Sequence, residues 1–156
     1  GAGAGSPAGR TRPGMSQTRL PALTPELQVS DLQASLVFYQ QVLGFNLLYQ
    51  RPEDGFAAIA LGEAALMLEQ IDQHARPGDP WTVMPLDRPL GRGINLQIDV
   101  ADLQPLYQAL LANDVPLRLS PETVDYRTGD SWIRVRQLMI QDPDGYLLRF
   151  SQVLDR

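Results

Sequence analysis

The sequence predicts an α+β chain of two tandem βαβββ modules, on three observations. Leu27-x-Val29-x-Asp31-Leu32 recurs 71 residues later as Ile98-x-Val100-x-Asp102-Leu103, and the offset continues to Leu36/Tyr107 and Tyr39/Leu110. In each copy the apolar spacing changes from alternation to a helical stripe and back to strand-like runs. The 156 residues are 44% hydrophobic, enough for one domain's core, and no run approaches the ~18 apolar residues of a membrane helix.

Leu27 and Val29 open the first module with the alternation of a half-buried strand. Ser30-x-x-Gln33 then reads as a capping box, and Leu32, Leu36, Tyr39 and Leu43 form a helical stripe that ends at Gly44. Strand-like runs follow at 45–51, 56–61 and 65–70, broken by Pro52-Glu53-Asp54-Gly55 and Gly62-Glu63. The second module opens on Leu96, Ile98 and Val100. Its stripe is Leu103, Leu106, Tyr107, Leu110 and Leu111, with Pro105 in the first turn, where a missing N–H costs little. Asn113-Asp114 ends that helix. Runs at 117–119, 132–141 and 146–153 complete the module, the last two joined by the turn Asp142-Pro143-Asp144-Gly145. Phe38, Tyr39 and Tyr107 lie on the helical stripes and are assigned to the core.

Residues 72–93 carry Pro77, Pro80, Pro85 and Pro89 and read as a surface linker; residues 120–131 read as a second long loop. Residues 1–14, GAGAGSPAGRTRPG, have no apolar periodicity and precede Met15, so they read as an expression scar. That leaves a single domain, 15–156, with modules at about 24–71 and 93–154. The leader has no apolar central run, so a cytoplasmic location is expected.

Composition narrows the chemistry. There is no Cys and one His, and all 13 basic residues are Arg. Thiolate catalysis, disulfides, structural zinc, Schiff bases and a Walker-type lysine are excluded. The net charge of −5 becomes −7 without Arg10 and Arg12, 11 basic against 18 acidic residues, which disfavours nucleic acid and favours cationic ligands at long range. His74 stands alone in the linker and reads as a solvated loop residue. Glu122, Asp125 and Asp130 read as ordinary loop acids.

Val29-Ser30-Asp31-Leu32, Phe38-Tyr39, Leu43-Gly44-Phe45, Gly91-Arg92-Gly93 and Asp142-Pro143-Asp144-Gly145-Tyr146-Leu147-Leu148-Arg149-Phe150 occur in the order and spacing of the vicinal oxygen chelate superfamily. The chain resembles that family of glyoxalases, extradiol dioxygenases and bleomycin-resistance proteins over roughly residues 25–153, and most closely its metal-free, bleomycin-resistance-like branch. The resemblance implies a mixed sheet curled into a cup and completed in a homodimer. It also implies four inward metal-ligand positions, which fall here on Thr24, Met67, Asn95 and Arg149. None is an imidazole or a carboxylate. A two-residue slip on the first module's last strand brings in only Glu69. A fixed positive charge about 4 Å from a divalent ion costs ~8 kcal/mol at an effective dielectric of about 20. No metal and no cofactor are therefore expected.

Within that family, metal-free members sequester flat drugs between aromatic side chains. By position the resemblance puts Tyr49, Phe56 and Trp132 on such a wall, each with plain packing as the competing reading. Asn95 and Gln97 offer hydrogen bonds and Met67 an apolar surface. Arg149 has two readings: it binds an anionic ligand bidentately, or it pairs with an internal acid such as Asp99 or Glu69. The function expected is a metal-free, antibiotic-sequestering binding protein with a bleomycin-type ligand. The alternatives are a glyoxalase- or dioxygenase-type enzyme with shifted or absent ligands, and a structural partner with an empty cup.

Overall fold

The computed structural model describes residues 14–72 and 78–156. Residues 1–13, most of the stretch read as a scar, and His74 lie outside them. The first module runs β1 (Glu26–Val29), α1 (Leu32–Val37), a π turn (Phe38–Val42), β2 (Asn46–Arg51), a 3₁₀ turn (Pro52–Asp54), β3 (Phe56–Leu61) and β4 (Ala64–Gln70). The second runs β5 (Asn95–Asp99), α2 (Leu103–Ala112), β6 (Leu119–Thr128), β7 (Ser131–Gln141) and β8 (Leu147–Asp155). Each module forms a four-stranded sheet, in the orders β1-β4-β3-β2 and β5-β8-β7-β6. The first strand of each pairs parallel with the last, and the other pairs are antiparallel. This is the βαβββ duplication the repeat predicts.

Both helices start in the same way. Asp31 and Asp102 are the N-caps, accepting from the backbone N–H of Ala34 (3.1 Å) and Gln104 (3.0 Å). A glutamine on the last strand of each sheet reaches the first helical N–H: Gln70 to Leu32 at 2.7 Å and Gln152 to Leu103 at 2.9 Å. The capping box expected at Ser30 is thus displaced by one residue, because the Ser30 N–H is turned to the Asp144 carboxylate, 3.2 Å away. The first helix also differs from the expected regular stripe. After Val37 it widens into the π turn, closed by Leu43 N–H on the Phe38 carbonyl at 3.1 Å.

Residues 120–131 are not a loop. They form most of β6 and its tight turn into β7. Pro121, Glu122 and Asp125 hide the alternation of Val124 and Tyr126, and a register shift between Leu119 and Glu122 accommodates the proline. The strand lies at the sheet edge, where proline is tolerated.

The apolar faces of both sheets and both helices meet in one core. Leu27, Val29, Leu36, Tyr39, Ile59 and Leu68 come from the first module, and Ile98, Leu103, Leu110, Leu138, Leu148 and Phe150 from the second. Phe38 and Tyr107 pack against its margin.

The Asp142–Gly145 turn is more than a connector. Its buried Asp142 accepts from the N–H groups of Asp144 and Tyr146 (both 2.9 Å) and, across the modules, from the Tyr39 hydroxyl at 2.8 Å. Tyr146 donates in turn to the Gln28 carbonyl at 2.8 Å. Burial pushes the Asp142 carboxyl above its ordinary range although these hydrogen bonds oppose the shift, and it raises the Tyr39 phenol well above its own. Gly145 sits at φ +95°, and a Cβ there would lie 2.5 Å from Pro89 Cβ. Only glycine fits.

Candidate functional site

With one face of each sheet committed to the core, strand alternation sends the remaining side chains to the other face. They line two separate cavities, which share no lining residue.

The first cavity, about 470 Å³, lies on the first module's sheet and is lined by Tyr49, Arg51, Phe56, Met67, Glu26 and Glu69, among others. Tyr49 and Phe56 come from neighbouring strands, with ring centroids 6.1 Å apart and planes inclined at 28°. Arg51 lies 4.0 Å over the Phe56 ring and is held there by Asp54 at 3.0 Å. Phe56 is buried but stands outside the shared core. The cavity's third aromatic is Trp81, from the linker. Glu26 and Glu69 flank Met67, which pairs with Glu26 in the β1–β4 register. The hydrogen bond that the protonated Glu69 carboxyl donates to Glu26, then burial and the like charge of Glu26, push the Glu69 carboxyl up to about 7.

The second cavity, about 400 Å³, lies on the second module's sheet and includes Gln97, Asp99, Tyr126, Gln137, Arg149 and Ser151 in its lining. Gln97 donates to Asp99 at 3.0 Å. Gln137, only 4% exposed, donates through Nε2 to Glu122 (2.9 Å) and Tyr126 (2.7 Å). Its Oε1 and the Nε of Arg149 are buried and have no hydrogen-bond partner among the described residues. Each such buried atom costs about 1–3 kcal/mol.

Among the described residues Arg149 forms no ion pair with Asp99 or with Glu69; the latter lies in the other cavity, bonded to Glu26. The internal-acid reading of Arg149 is therefore overturned. Asn95 is exposed at the start of β5, on the Gln97 face but outside the cavity lining. Trp132, 60% exposed, lies in a third cleft with Asp125, Arg134 and Asp155 and lines neither cavity, although Arg156 borders both this cleft and the second cavity. The structure thus brings Tyr49, Phe56 and Met67 together, brings Gln97 and Arg149 together elsewhere, and leaves Asn95 and Trp132 apart from both groups.

Glu26, Arg51, Tyr126 and Gln137 were missed by sequence reasoning. Alternation alone carried a signal for two of them. Glu26 is one step from Leu27, and Gln137 one step from Leu138, so each must face away from the core.

The four positions that the resemblance gives for a metal do not gather in one place: Thr24, whose hydroxyl donates to the Pro21 carbonyl at 2.7 Å, and Asn95 line neither cavity, Met67 offers a soft thioether to the first, and Arg149 brings a fixed positive charge to the second. Among the described residues no three His, Cys, Asp or Glu side chains are grouped to hold a metal ion.

The profile of the family described as the Glyoxalase/Bleomycin resistance protein/Dioxygenase superfamily matches residues 19–150. The bleomycin resistance proteins of Geobacillus stearothermophilus and Staphylococcus aureus are each 29% identical over 136 residues, covering 82% of this chain and 93% of theirs. Among solved structures, a virulence protein from Salmonella typhimurium aligns with a TM-score of 0.59 at 22% identity, covering 90% of this chain and 100% of its own. A glyoxalase/bleomycin resistance protein/dioxygenase from Alicyclobacillus acidocaldarius gives 0.57 at 18%, covering 85% and 91%. These two likenesses speak to the fold alone. Together with the duplicated sheets, the family match places the chain in the glyoxalase/bleomycin resistance protein/dioxygenase superfamily, to which it belongs.

Proposed function

We propose that this chain captures a flat aromatic small molecule of the bleomycin type, without a metal and without making or breaking a bond. One observation carries the reading: Tyr49 and Phe56 line the first cavity beside Met67, while among the described residues no three imidazole or carboxylate side chains are grouped to hold a metal ion there. The volume of about 470 Å³ lies within the range of small-molecule sites. Ring contacts contribute about 0.5–1.5 kcal/mol each beyond area burial, and the acids Glu26 and Glu69 in the same lining supply negative charge for a cationic group. The bleomycin resistance proteins among its relatives support the ligand class.

The two cavities lie on separate sheets of one chain. We assign the functional unit as a homodimer in which the first-module sheet of one copy faces the second-module sheet of the other. This arrangement closes each open half over a ligand.

Isothermal titration of the purified protein with bleomycin tests the reading, with and without prior chelator treatment. Saturable binding that survives chelation and weakens about tenfold in Tyr49→Ala is expected. A requirement for stoichiometric divalent metal would overturn it.

A further inference from the structure

We infer that the second-module cavity is a subsite for an aromatic carboxylate bearing a hydrogen-bond donor beside the acid group. Arg149 takes the carboxylate and Gln137 Oε1 takes the donor. This inference rests on the ligand-binding reading above and specifies one end of the ligand.

Three features argue for it. The two buried polar atoms without partners are of opposite type, a charged donor (Arg149 Nε) and a neutral acceptor (Gln137 Oε1), and both residues line the same cavity. They are also neighbours: in the β7–β8 register Gln137 faces Ser151 and Met139 faces Arg149, so Gln137 and Arg149 sit diagonally on one face. Finally, the amide orientation is determined. Gln137 Nε2 points at the Glu122 carboxylate and the Tyr126 hydroxyl, and turning the amide over would set its oxygen against a carboxylate.

The nearby acids do not compete for the guanidinium. Asp99 accepts from Gln97 and Glu122 from Gln137, and neither forms an ion pair with Arg149 among the described residues. A guanidinium without a counter-ion selects an anion, and its planar fork matches a carboxylate. The adjacent amide oxygen then discriminates among carboxylates, because it gains only when the ligand supplies an N–H or O–H close to the acid.

Indole-2-carboxylate is a probe with both groups on a flat ring. Calorimetric titration of the full chain is run with this acid, with indole-2-carboxamide and with 1-methylindole-2-carboxylate. The acid is expected to bind at least about tenfold more tightly than the amide, and about tenfold more tightly than its N-methyl analogue. Arg149→Gln should erase the preference for acid over amide, and Arg149→Lys should retain part of it. Thermal unfolding of both variants checks that the fold is intact, and the ligand series in the unmodified chain stands without them. Equal binding of acid and amide, a preference that persists in Arg149→Gln, or no saturable binding of the acid overturns the inference. Bleomycin titrated against the same preparations separates the two claims. Bleomycin binding with no acid preference sinks the carboxylate subsite alone. An Arg149-dependent acid preference with no bleomycin binding supports the subsite and overturns the bleomycin-type ligand.

Discussion

Replacing Tyr39 with Phe removes one oxygen from the junction between the two modules and little else. The ring is fully buried and packs edge-on against Phe38 and Phe45, at 5.6 and 5.2 Å between centroids, and all of that remains. What is lost is the 2.8 Å hydrogen bond to Asp142 Oδ2. The Asp144 and Tyr146 N–H groups still serve Oδ1, but Oδ2 is left buried with no donor. A hydrogen bond to a charged group contributes about 1.5–3 kcal/mol. A loss of about 2 kcal/mol corresponds to a fall of roughly 4–8 °C in Tm for a chain of this length. The effect also has a pH signature. The Asp142 carboxyl already sits above its ordinary range because of burial, with the Tyr39 bond among the contacts holding it down. Without that bond it rises further, so the penalty is largest at neutral pH, where the carboxylate is ionised. It shrinks as pH falls through the folded-state pKa. Urea unfolding of the two proteins at neutral pH and in the carboxylate titration range measures both effects. A loss below ~0.5 kcal/mol at neutral pH, or one that does not change with pH, would refute the electrostatic account of the junction.

Three further outcomes are expected. Glu69 titrates near 7 in the folded chain against 4.5 for a free glutamate, so the folded state holds an extra proton between those values. The stability it contributes is fully present below the lower value and is lost as pH rises through about 7; Glu26→Gln should bring the titration down, as read from carboxyl carbon shifts by NMR. Gly145→Ala meets both a left-handed backbone and Pro89, whereas Gly62→Ala meets only the backbone at φ +58°. Gly62→Ala should cost about 1–2 kcal/mol and Gly145→Ala clearly more, read by chemical unfolding. Gln152→Ala removes the last-strand acceptor of the Leu103 N–H and should cost about 1 kcal/mol, with hydrogen exchange accelerating in the first turn of α2.

The sequence by itself determined what is local. Alternation at Leu27/Val29 and Ile98/Val100 and the stripes that follow are written in spacings of two to four residues. A repeat of such spacings is visible without any fold, which is why the two βαβββ modules were legible. The stripe residues Tyr39 and Leu110 went to the core, and Tyr49, Phe56 and Met67 came together on one face.

Local spacing failed where a distant strand set the outcome. β6 looked like a loop because an edge strand tolerates Pro121 and exposed acids, and only its ladder with β7 makes it a strand. Ser30 was displaced as cap by a carboxylate 114 residues away. Trp132 was expected on the aromatic wall, yet the β6–β7 hairpin carries it to a separate cleft. Tertiary structure alone decided that Glu69 meets Glu26 instead of Arg149, that Gln137 and Arg149 are diagonal neighbours, and that the two cavities lie on separate sheets. The physical reason is common to all of these. Which side chains meet across a sheet depends on register and on bulges at Leu47/Tyr49, Leu119/Glu122 and Arg134/Val135, and a shift of one residue sends a side chain to the opposite face.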